Sequence, residues 1–354
     1  MDADHTAGKI LREMSLCARQ FEGGPIDSIY FGGGTPSLLS PESAREIIHQ
    51  AFHLWGAGAD GEITLEANPG TISQGSVEAF ADAGINRISL GIQSFDDRSQ
   101  SGLGRIHNSD MAREAFSLSR QVPGIKSLSI DMICGLPGQT MDDWRYEIDS
   151  IIALKPDHIS LYALSIEQGS RFSVIYSTPE SLSMLPDSDM VADMLEHAAT
   201  FLCAAGYEHY EISSFAMPGH RSSHNCGYWK REGYLGLGPS AHSLILRDYG
   251  LRFANPSDTA AWSEKLSSGE LAHQYFENLD MDSSLSEHIF LGLRMSDGVS
   301  EPEIRNQFGD DQWQRHELVM QYFTENGLMI NRNGRYSLSH RGMMVSNQIL
   351  ARFI

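Results

Sequence analysis

Short β-branched, apolar runs alternate with helical patterns through the first half of the chain. The runs predict five strands, over Ser28–Phe31, Glu62–Glu66, Arg87–Gln93, Ser127–Ile133 and His158–Leu164. Strands that alternate with helices over connections of this length form right-handed βαβ units. The pattern therefore predicts an α/β fold built on a parallel sheet.

Each helical pattern between these strands begins with residues suited to start a helix. Ser40-Pro41, for example, combines a capping side chain with a proline at the first helical position. The predicted helices are Ala44–Leu54, Ser76–Ala83, Met111–Arg120 and Trp144–Leu154. Their positions complete the strand–helix alternation.

The pattern changes in the second half of the chain. A long helical pattern covers Asp187–Ala205, and Tyr207–Phe215 is predicted as one more strand. Residues 233–243 are rich in glycine and predict a turn region, whereas periodicity weakens over residues 255–280. We expect that last stretch to be a connector or a small lid.

The C-terminal tail has the pattern of a small separate module. Its predicted helices are Leu285–Met295, Glu301–Phe308 and Gln312–Asn326. A hairpin is expected over Leu328–Leu338, because Asn333-Gly334 flanked by apolar residues favours a tight turn. This order of elements resembles a winged-helix module.

Charge and composition exclude several classes of function. The chain has 354 residues, of which 26 are Lys or Arg and 46 are Asp or Glu, so its formal net charge is −20. Nucleic acids and anionic membranes require a basic surface, and the tail itself contains 7 Arg, no Lys and 9 acids. No apolar stretch approaches the roughly 18 residues of a membrane span, and the start lacks a signal-peptide pattern. We therefore expect a cytoplasmic protein that binds no nucleic acid.

Polar or glycine-rich residues follow nearly every predicted strand. The first such ending, Gly32-Gly33-Gly34-Thr35, either presents backbone N–H groups to an anionic ligand or is only a tight turn. It matches neither the dinucleotide nor the P-loop spacing. Glu66, Gln93, Arg105 and Asp131 lie at or near later strand ends. Because ligands of barrel-type α/β folds bind where strands end, these residues outline one binding face.

Four cysteines are spread through the chain, at Cys17, Cys134, Cys203 and Cys226. Their spacing contains no CxxC or other cluster, so the sequence indicates no local metal or iron–sulfur site. We expect each to be a small buried or neutral thiol.

Seven ordered motifs make the chain recognisable over essentially its whole length. They are FGGGTPSLL (31–39), EANPGT (66–71), RISLGIQSF (87–95), LGRIH (103–107), IDMICGLPGQT (130–140), HNCGYW (224–229) and GLGPSAH (236–242). Together they resemble the radical S-adenosylmethionine (SAM) family of oxygen-independent coproporphyrinogen III oxidase-like proteins, and within it the HemW branch of haem chaperones. Seven motifs in order are far more specific than any one of them.

This resemblance implies a fold and a domain plan. The fold is a partial (β/α)6 TIM-like barrel that lacks its first strand, followed by an α+β winged-helix-like domain. The resemblance makes Met1–Phe21 the first barrel helix. The implied domains are residues 1–215 for the barrel, 216–280 for the HNxxYW segment with a connector, and 281–354 for the C-terminal module.

The resemblance also implies ligand contacts. It places SAM against Gly33, Gly34, Thr35, Glu66, Gln93, Arg105, Asp131 and Ala163. The HNxxYW segment is linked to haem in this branch, which makes His224 a candidate iron ligand. A histidine before asparagine also occurs as a capping or core residue, so both interpretations stay open.

One feature of the family is missing from this chain. Family members carry a CxxxCxxC loop after their first barrel strand, and its three thiolates hold a [4Fe–4S] cluster. Nothing in this sequence replaces three clustered cysteines, so we expect no cluster and no reductive cleavage of SAM. We expect a truncated chain rather than a natural member without a cluster, because losing the first strand leaves the second with an unpaired edge.

Three functions are compatible with the resemblance. The leading hypothesis is a haem chaperone that binds haem and SAM and delivers haem to membrane respiratory enzymes. One alternative is an oxygen-independent coproporphyrinogen III oxidase, and another is a binding module that performs no redox chemistry. The HNxxYW segment and the compact length favour the chaperone.

Overall fold

A computed structural model describes residues 3–21 and 23–354 of the chain. These residues form two compact units. The first unit combines the residues up to Tyr30 with Leu38–Glu62 and Ser222–Ile354. The second unit combines Phe31–Ser37 with Ile63–Arg221. The domain boundaries expected from the resemblance stay predictions.

The strands form three sheets. They are β1 (Ile26–Phe31), β2 (Ala57–Ala67), β3 (Arg87–Gln93), β4 (Ser127–Cys134), β5 (His158–Ala163), β6 (Glu208–Glu211), β7 (Ser214–Ala216), β8 (His242–Ile245), β9 (Leu251–Ala254), β10 (Tyr275–Asn278), β11 (Val299–Ser300), β12 (Met329–Arg332) and β13 (Arg335–Leu338). The large sheet has the order β1-β2-β3-β4-β5-β7-β6, and the small sheets have the orders β10-β9-β8 and β11-β13-β12. Strands β2 to β5 run parallel, as the sequence predicts.

Helices connect these strands. They are α1 (Ala3–Gln20), α2 (Pro41–Trp55), α3 (Gln74–Ala83), α4 (Asp97–Gly102), α5 (Ser109–Arg120), α6 (Met141–Leu154), α7 (Arg171–Ile175), α8 (Pro179–Leu182), α9 (Ser188–Ala204), α10 (Ser223–Trp229), α11 (Thr259–Ser267), α12 (Met281–Gly292), α13 (Glu301–Phe308), α14 (Asp310–Glu325), α15 (His340–Met344) and α16 (Ser346–Leu350). The predicted helix Met1–Phe21 is α1, except that its first two residues lie outside the described part of the chain. Among the described residues, no helix combines the length and hydrophobicity needed to span a bilayer.

The parallel part of the large sheet has one apolar and one polar face. On the apolar face, Leu90 and Ile130 are neighbours in register and both are fully buried. On the opposite face, a polar row runs across the strands: Glu66, Ser89, Ser129 and His158. Because side chains alternate between the faces of a strand, this polar face continues two residues further, at Asp131 and Ser160. The polar face therefore leads to the strand ends where the candidate ligand contacts lie.

The prediction of a single strand over Tyr207–Phe215 is wrong, because the structure has two strands there. Strands β6 and β7 form an antiparallel hairpin that turns at Ile212–Ser213. Strand β7 then pairs antiparallel with β5, so the sheet does not end in a parallel strand. The turn contains Ser213 but no Gly, Pro, Asn or Asp, so its sequence gives only a weak turn signal.

Residues 255–280 contain regular structure instead of the expected connector or lid. Helix α11 begins after Asp258, whose carboxylate accepts a hydrogen bond from the Ala260 N–H (2.8 Å). Its buried face consists of Trp262 and Leu266. A nine-residue helix with two buried anchors has too few turns to give a clear periodicity.

The C-terminal tail contains the expected order of elements. Helix α13 has the predicted bounds, whereas α12 begins at Met281, earlier than the predicted Leu285. The hairpin turns at Asn333 and Gly334, which have φ angles of 56° and 82°. These left-handed conformations favour an Asn-Gly pair, because glycine adopts them without strain and asparagine tolerates them.

Candidate functional site

The glycine loop follows β1 and reaches the end of β2. Gly33 and Gly34 have φ angles of 79° and 66°, a region that side chains with a Cβ rarely adopt. The Gly33 N–H donates a hydrogen bond to Glu66 Oε2 at 3.3 Å. No heavy atom lies within 4 Å of a Cβ added at either glycine, so the loop is open. Thr35 is exposed beside it. The structure therefore brings the loop and Glu66 together.

A short segment after Glu66 is held by a buried histidine. Asn68 accepts hydrogen bonds through Oδ1 from the Gly70 N–H (3.1 Å) and from His107 Nδ1 (2.9 Å). His107 is buried, and this burial lowers the pKa of its imidazole. A neutral His107 therefore joins the LGRIH motif to the EANPGT motif.

Asp131 projects from the polar face of β4. The Ser89 hydroxyl donates to Asp131 Oδ1 at 3.0 Å. Burial raises the pKa of Asp131 to about 6, although hydrogen bonds from Ser89 and Ser160 and the charge of Arg87 oppose the increase. The charge of Glu66 contributes to the increase. Two carboxylates thus share this end of the sheet, and one of them titrates close to neutral pH.

Arg105 supplies a cation to the same group, but it lies in the loop between α4 and α5 and not near a strand end as predicted. Burial lowers the pKa of its guanidinium, and the negative charge of Asp131 acts in the opposite direction. The electrostatic interactions join Glu66, Asp131 and Arg105 into one cluster, in agreement with the expectation of a shared face. Their roles as SAM contacts stay predictions.

Gln93 and Ala163 are at the ends of their strands. Gln93 has a φ angle of 71°, and the pairing of β3 with β4 becomes irregular between Leu90 and Gln93. This bulge turns the last residue of β3 out of the regular alternation. Ala163 is exposed at the end of β5, where it pairs in register with Cys134. Both residues have the strand-end positions that the sequence predicts.

Tyr162 belongs to this cluster; the sequence places it at a strand end but assigns it no ligand contact. Burial raises the pKa of its phenol to about 12, with further contributions from the charges of Asp131 and Glu66. Its side chain lies on the same face of β5 as Ser160, two residues earlier. A polar residue at every second position of an otherwise apolar strand is the signal that can reveal such a site.

A buried carboxylate supports the loop after β3, and it was also missed. Glu147 of α6 is 1 % exposed and accepts hydrogen bonds from the Ser94 hydroxyl (2.5 Å) and the Phe95 N–H (2.8 Å). Burial raises the pKa of Glu147, and these hydrogen bonds oppose the increase. Because Ser94 follows Gln93 directly, Glu147 fixes the backbone on which Gln93 is mounted.

His224 lies in the first unit, at the start of α10. Its Nδ1 is 2.9 Å from the Ser28 hydroxyl and its Nε2 is 3.1 Å from the Tyr228 hydroxyl. Its ring also stacks on Tyr30, with centroids 4.7 Å apart. Both ring nitrogens are thus occupied, and iron binding at His224 requires the release of one hydroxyl.

Glu62 anchors the N-terminal end of α10. Its carboxylate accepts hydrogen bonds from the Ser223 N–H (3.0 Å) and the His224 N–H (3.2 Å). A carboxylate that satisfies the free N–H groups of a helix start also interacts favourably with the helix dipole. The backbone of His224 is therefore fixed independently of its ring.

An iron–sulfur cluster does not fit the described residues. A [4Fe–4S] cluster of this family needs three thiolates, and among the side chains that the structure describes no group of three or more His, Cys, Asp or Glu can hold a metal ion. Cys17, Cys134 and Cys226 are buried, and Cys203 is exposed. Burial raises the pKa of Cys17 and of Cys134 to about 12, which disfavours the thiolate.

Two family models match the chain. The Radical SAM superfamily matches residues 4–151, and the HemN C-terminal domain matches residues 279–345. "Heme chaperone HemW" of Lactococcus lactis subsp. lactis is 31 % identical over 339 residues, covering 95 % of this chain and 86 % of that protein. "Heme chaperone HemW" of Haemophilus influenzae is 33 % identical over 332 residues, covering 93 % of this chain and 83 % of that protein.

A solved structure has the same fold. Coproporphyrinogen III oxidase (HemN) from Escherichia coli, described as a radical SAM enzyme, is similar with a TM-score of 0.83. The match covers 99 % of this chain and 83 % of that one at 20 % identity, and so it informs on fold alone. The predicted fold class, a radical SAM barrel-type α/β fold with a C-terminal domain, is confirmed.

Proposed function

Because the chain belongs to the HemW family of radical SAM proteins, we propose that it is a haem chaperone that binds haem and SAM. The observation that carries the proposal is the similarity to HemW proteins over more than nine tenths of the chain. The electrostatic grouping of Glu66, Asp131 of β4 and Arg105 of the loop between α4 and α5 supports it.

The strand-end residues fit the chemistry of SAM. The open glycine loop of Gly33, Gly34 and Thr35 suits the amino and carboxylate groups of the methionine part. The carboxylates of Glu66 and Asp131 suit an ammonium group, a sulfonium or ribose hydroxyls, and Arg105 suits a carboxylate. Gln93 and Ala163 complete the set at the ends of β3 and β5. We propose that these residues bind and orient SAM.

Haem is the proposed cargo, and His224 is the proposed iron ligand. Neutral imidazole is a common axial ligand of haem iron. The hydroxyls of Ser28 and Tyr228 now occupy its two nitrogens, so haem competes with one of these hydrogen bonds. We further propose that the protein acts in the cytoplasm and that membrane respiratory enzymes receive the haem.

The proposed SAM and haem sites do not include a [4Fe–4S] cluster. In the family it supplies an electron to bound SAM, but the described residues contain no ligand set for it. The proposed roles of the residues of this chain are therefore to bind SAM and haem, without a redox step.

The oxidase is the second candidate function, favoured only by the fold shared with HemN. That match is 20 % identical, whereas the HemW proteins are 31 % and 33 % identical. Assay of coproporphyrinogen III turnover separates the two functions. Conversion to protoporphyrinogen IX by this chain, together with SAM and a reductant, would contradict the chaperone proposal.

Haem titration tests the chaperone proposal directly. We expect the wild-type protein to bind ferric haem with a distinct Soret band, and His224→Ala to shift that band and weaken binding. His49→Ala is a matched control, because His49 is exposed on α2 and has no place in the proposed site. A wild-type protein that binds no haem overturns the proposal, and identical spectra for His224→Ala remove His224 from the site.

A further inference from the structure

The C-terminal end of α10 contacts the first helix of the C-terminal module. Arg231, two residues after α10, forms an ion pair with Glu287 of α12, with Nε and Oε2 2.9 Å apart. Both residues are buried, at 7 % and 5 % exposure. Arg231 also donates to the Tyr249 carbonyl at 2.5 Å. The chain after the HNxxYW segment is thus fixed by a buried charge on α12.

Glu287 neutralises a second cation. Arg252 of β9 forms an ion pair with the other carboxylate oxygen of Glu287 and also lies 3.6 Å from Glu277. Burial lowers the pKa of Arg231, and the charge of Arg252 lowers it further. Removing the charge of Glu287 therefore leaves two neighbouring guanidinium groups without the carboxylate that they share. Breaking such a buried pair is strongly unfavourable.

A second contact joins α10 to the same module. The guanidinium of Arg294, just beyond α12, lies over the ring of Trp229, with 4.3 Å between Cζ and the ring centroid. This is a cation–π geometry. Trp229 is the last residue of both α10 and the HNxxYW motif. Glu287 lies in the middle of α12 and Arg294 lies two residues beyond its end, so both contacts come from the same part of the module.

Helix α10 is therefore held at both ends by charged side chains. Glu62 accepts hydrogen bonds from its first turn, where His224 lies. Arg294 lies over its last residue, Trp229, and Glu287 pairs with Arg231 just beyond it. We infer that Glu287 and Arg294 are positioning residues for haem, which act through α10 and make the C-terminal module part of the haem-binding apparatus. This inference rests on the proposed function, because it takes haem to bind at α10.

The alternative is that the same contacts only stabilise the fold. In that case, their loss lowers the stability but leaves the environment of haem unchanged in the protein that remains folded. Residues that orient a metal ligand from outside its coordination shell typically change affinity by about 10- to 100-fold when replaced. The two roles therefore differ in haem affinity and spectrum, measured where the variant is fully folded.

The test compares ferric haem binding by Glu287→Gln and Arg294→Leu with wild type. We expect the haem Kd of each to rise by about tenfold and the Soret band to shift towards that of His224→Ala. Arg294→Leu keeps the buried ion pair and so covers the case in which Glu287→Gln does not fold. Arg294→Lys keeps a cation over Trp229 and is expected to restore binding. Glu303→Gln is the control, because this exposed residue pairs with Arg335 within the module.

The outcomes separate this inference from the proposed function. If wild type binds haem and His224→Ala weakens binding, but folded Arg294→Leu binds as wild type does, the inference is wrong and the chaperone proposal stands. Lower stability with unchanged Kd and spectrum also overturns it. If wild type binds no haem, the proposed function fails first and the inference falls with it.

Discussion

Asp131 shows how the environment of one residue links pH to stability. Its carboxyl group has a pKa of about 6 in the folded protein, above its value of 3.8 in a solvated chain, because burial disfavours the charge. Between these two values the folded state binds more protons than the unfolded state. The free energy of unfolding therefore falls as pH rises from about 4 to 6, and the loss persists above pH 6.

We therefore expect Asp131→Asn to change the free energy of unfolding more favourably at pH 7.5 than at pH 4.5. The expected difference between the two pH values is on the order of 2 kcal/mol, at 1.36 kcal/mol for each pKa unit. Denaturant unfolding at both values measures it, with the exposed Asp193→Asn on α9 as a control. An equal effect at both pH values contradicts the raised pKa.

Glu147 makes a prediction about affinity at a distance from the ligand. Glu147→Ala removes the acceptor for Ser94 and Phe95 and leaves their buried donors without it. We expect a loss of about 3 kcal/mol in stability and weaker SAM binding, because the backbone beside Gln93 loses its support. Calorimetric titration with SAM measures the second effect, and Glu196→Ala, exposed on α9, is the control. Unchanged SAM affinity in the folded variant removes Glu147 from this role.

At the scale of elements, the glycine loop after β1 depends on its backbone conformation more than on steric contacts. Nothing lies within 4 Å of a Cβ added at Gly33 or Gly34, so a substitution there meets no steric clash. The positive φ angles are the remaining penalty. The glycine loop is thus a place where conformation alone can be tested.

We expect Gly34→Ala to lower stability by about 1 kcal/mol and to weaken SAM binding, since the loop must leave its left-handed conformation. Gly75→Ala is a matched control, because Gly75 has equal space around it but lies within helix α3. That control is expected to gain about 0.5–1 kcal/mol, because alanine favours a helix. Thermal unfolding and SAM titration measure both variants. Equal effects of the two substitutions contradict the role of the φ angle.

At the scale of the whole molecule, the two units carry separate parts of the proposed function. The second unit contains the SAM candidates, and the first contains His224 with the C-terminal module. Neither unit supplies three thiolates at one place among the described residues. Ligand binding and cluster chemistry are therefore separable in this chain.

We expect anaerobic treatment of this 354-residue chain with iron and sulfide to form no stable [4Fe–4S] cluster. Mössbauer spectroscopy after desalting measures the outcome, with a relative that carries the three-cysteine loop as a positive control. SAM binding by the untreated chain is expected to persist, because the strand-end residues do not depend on the cluster. A stable cluster signal contradicts the interpretation of the cysteines.

The sequence alone determined the parallel strands, the helices between them, and the strands that carry Glu66, Gln93 and Asp131. These features follow from local physics, because buried strands and capped helices leave periodic patterns. The Asn333-Gly334 hairpin belongs here too, since its turn depends on two adjacent residues. Seven motifs then identified the family without any knowledge of distances.

Only the tertiary structure decided which side chains meet. Tyr162 and Glu147 join the site through residues distant in sequence, and the ion pair between Arg231 and Glu287 spans 56 positions. The hairpin of β6 and β7 also depends on β5, with which β7 pairs, and its turn carries only a weak signal of its own. Burial, which shifts the pKa of Asp131, arises only when several elements pack together, and no local pattern records it.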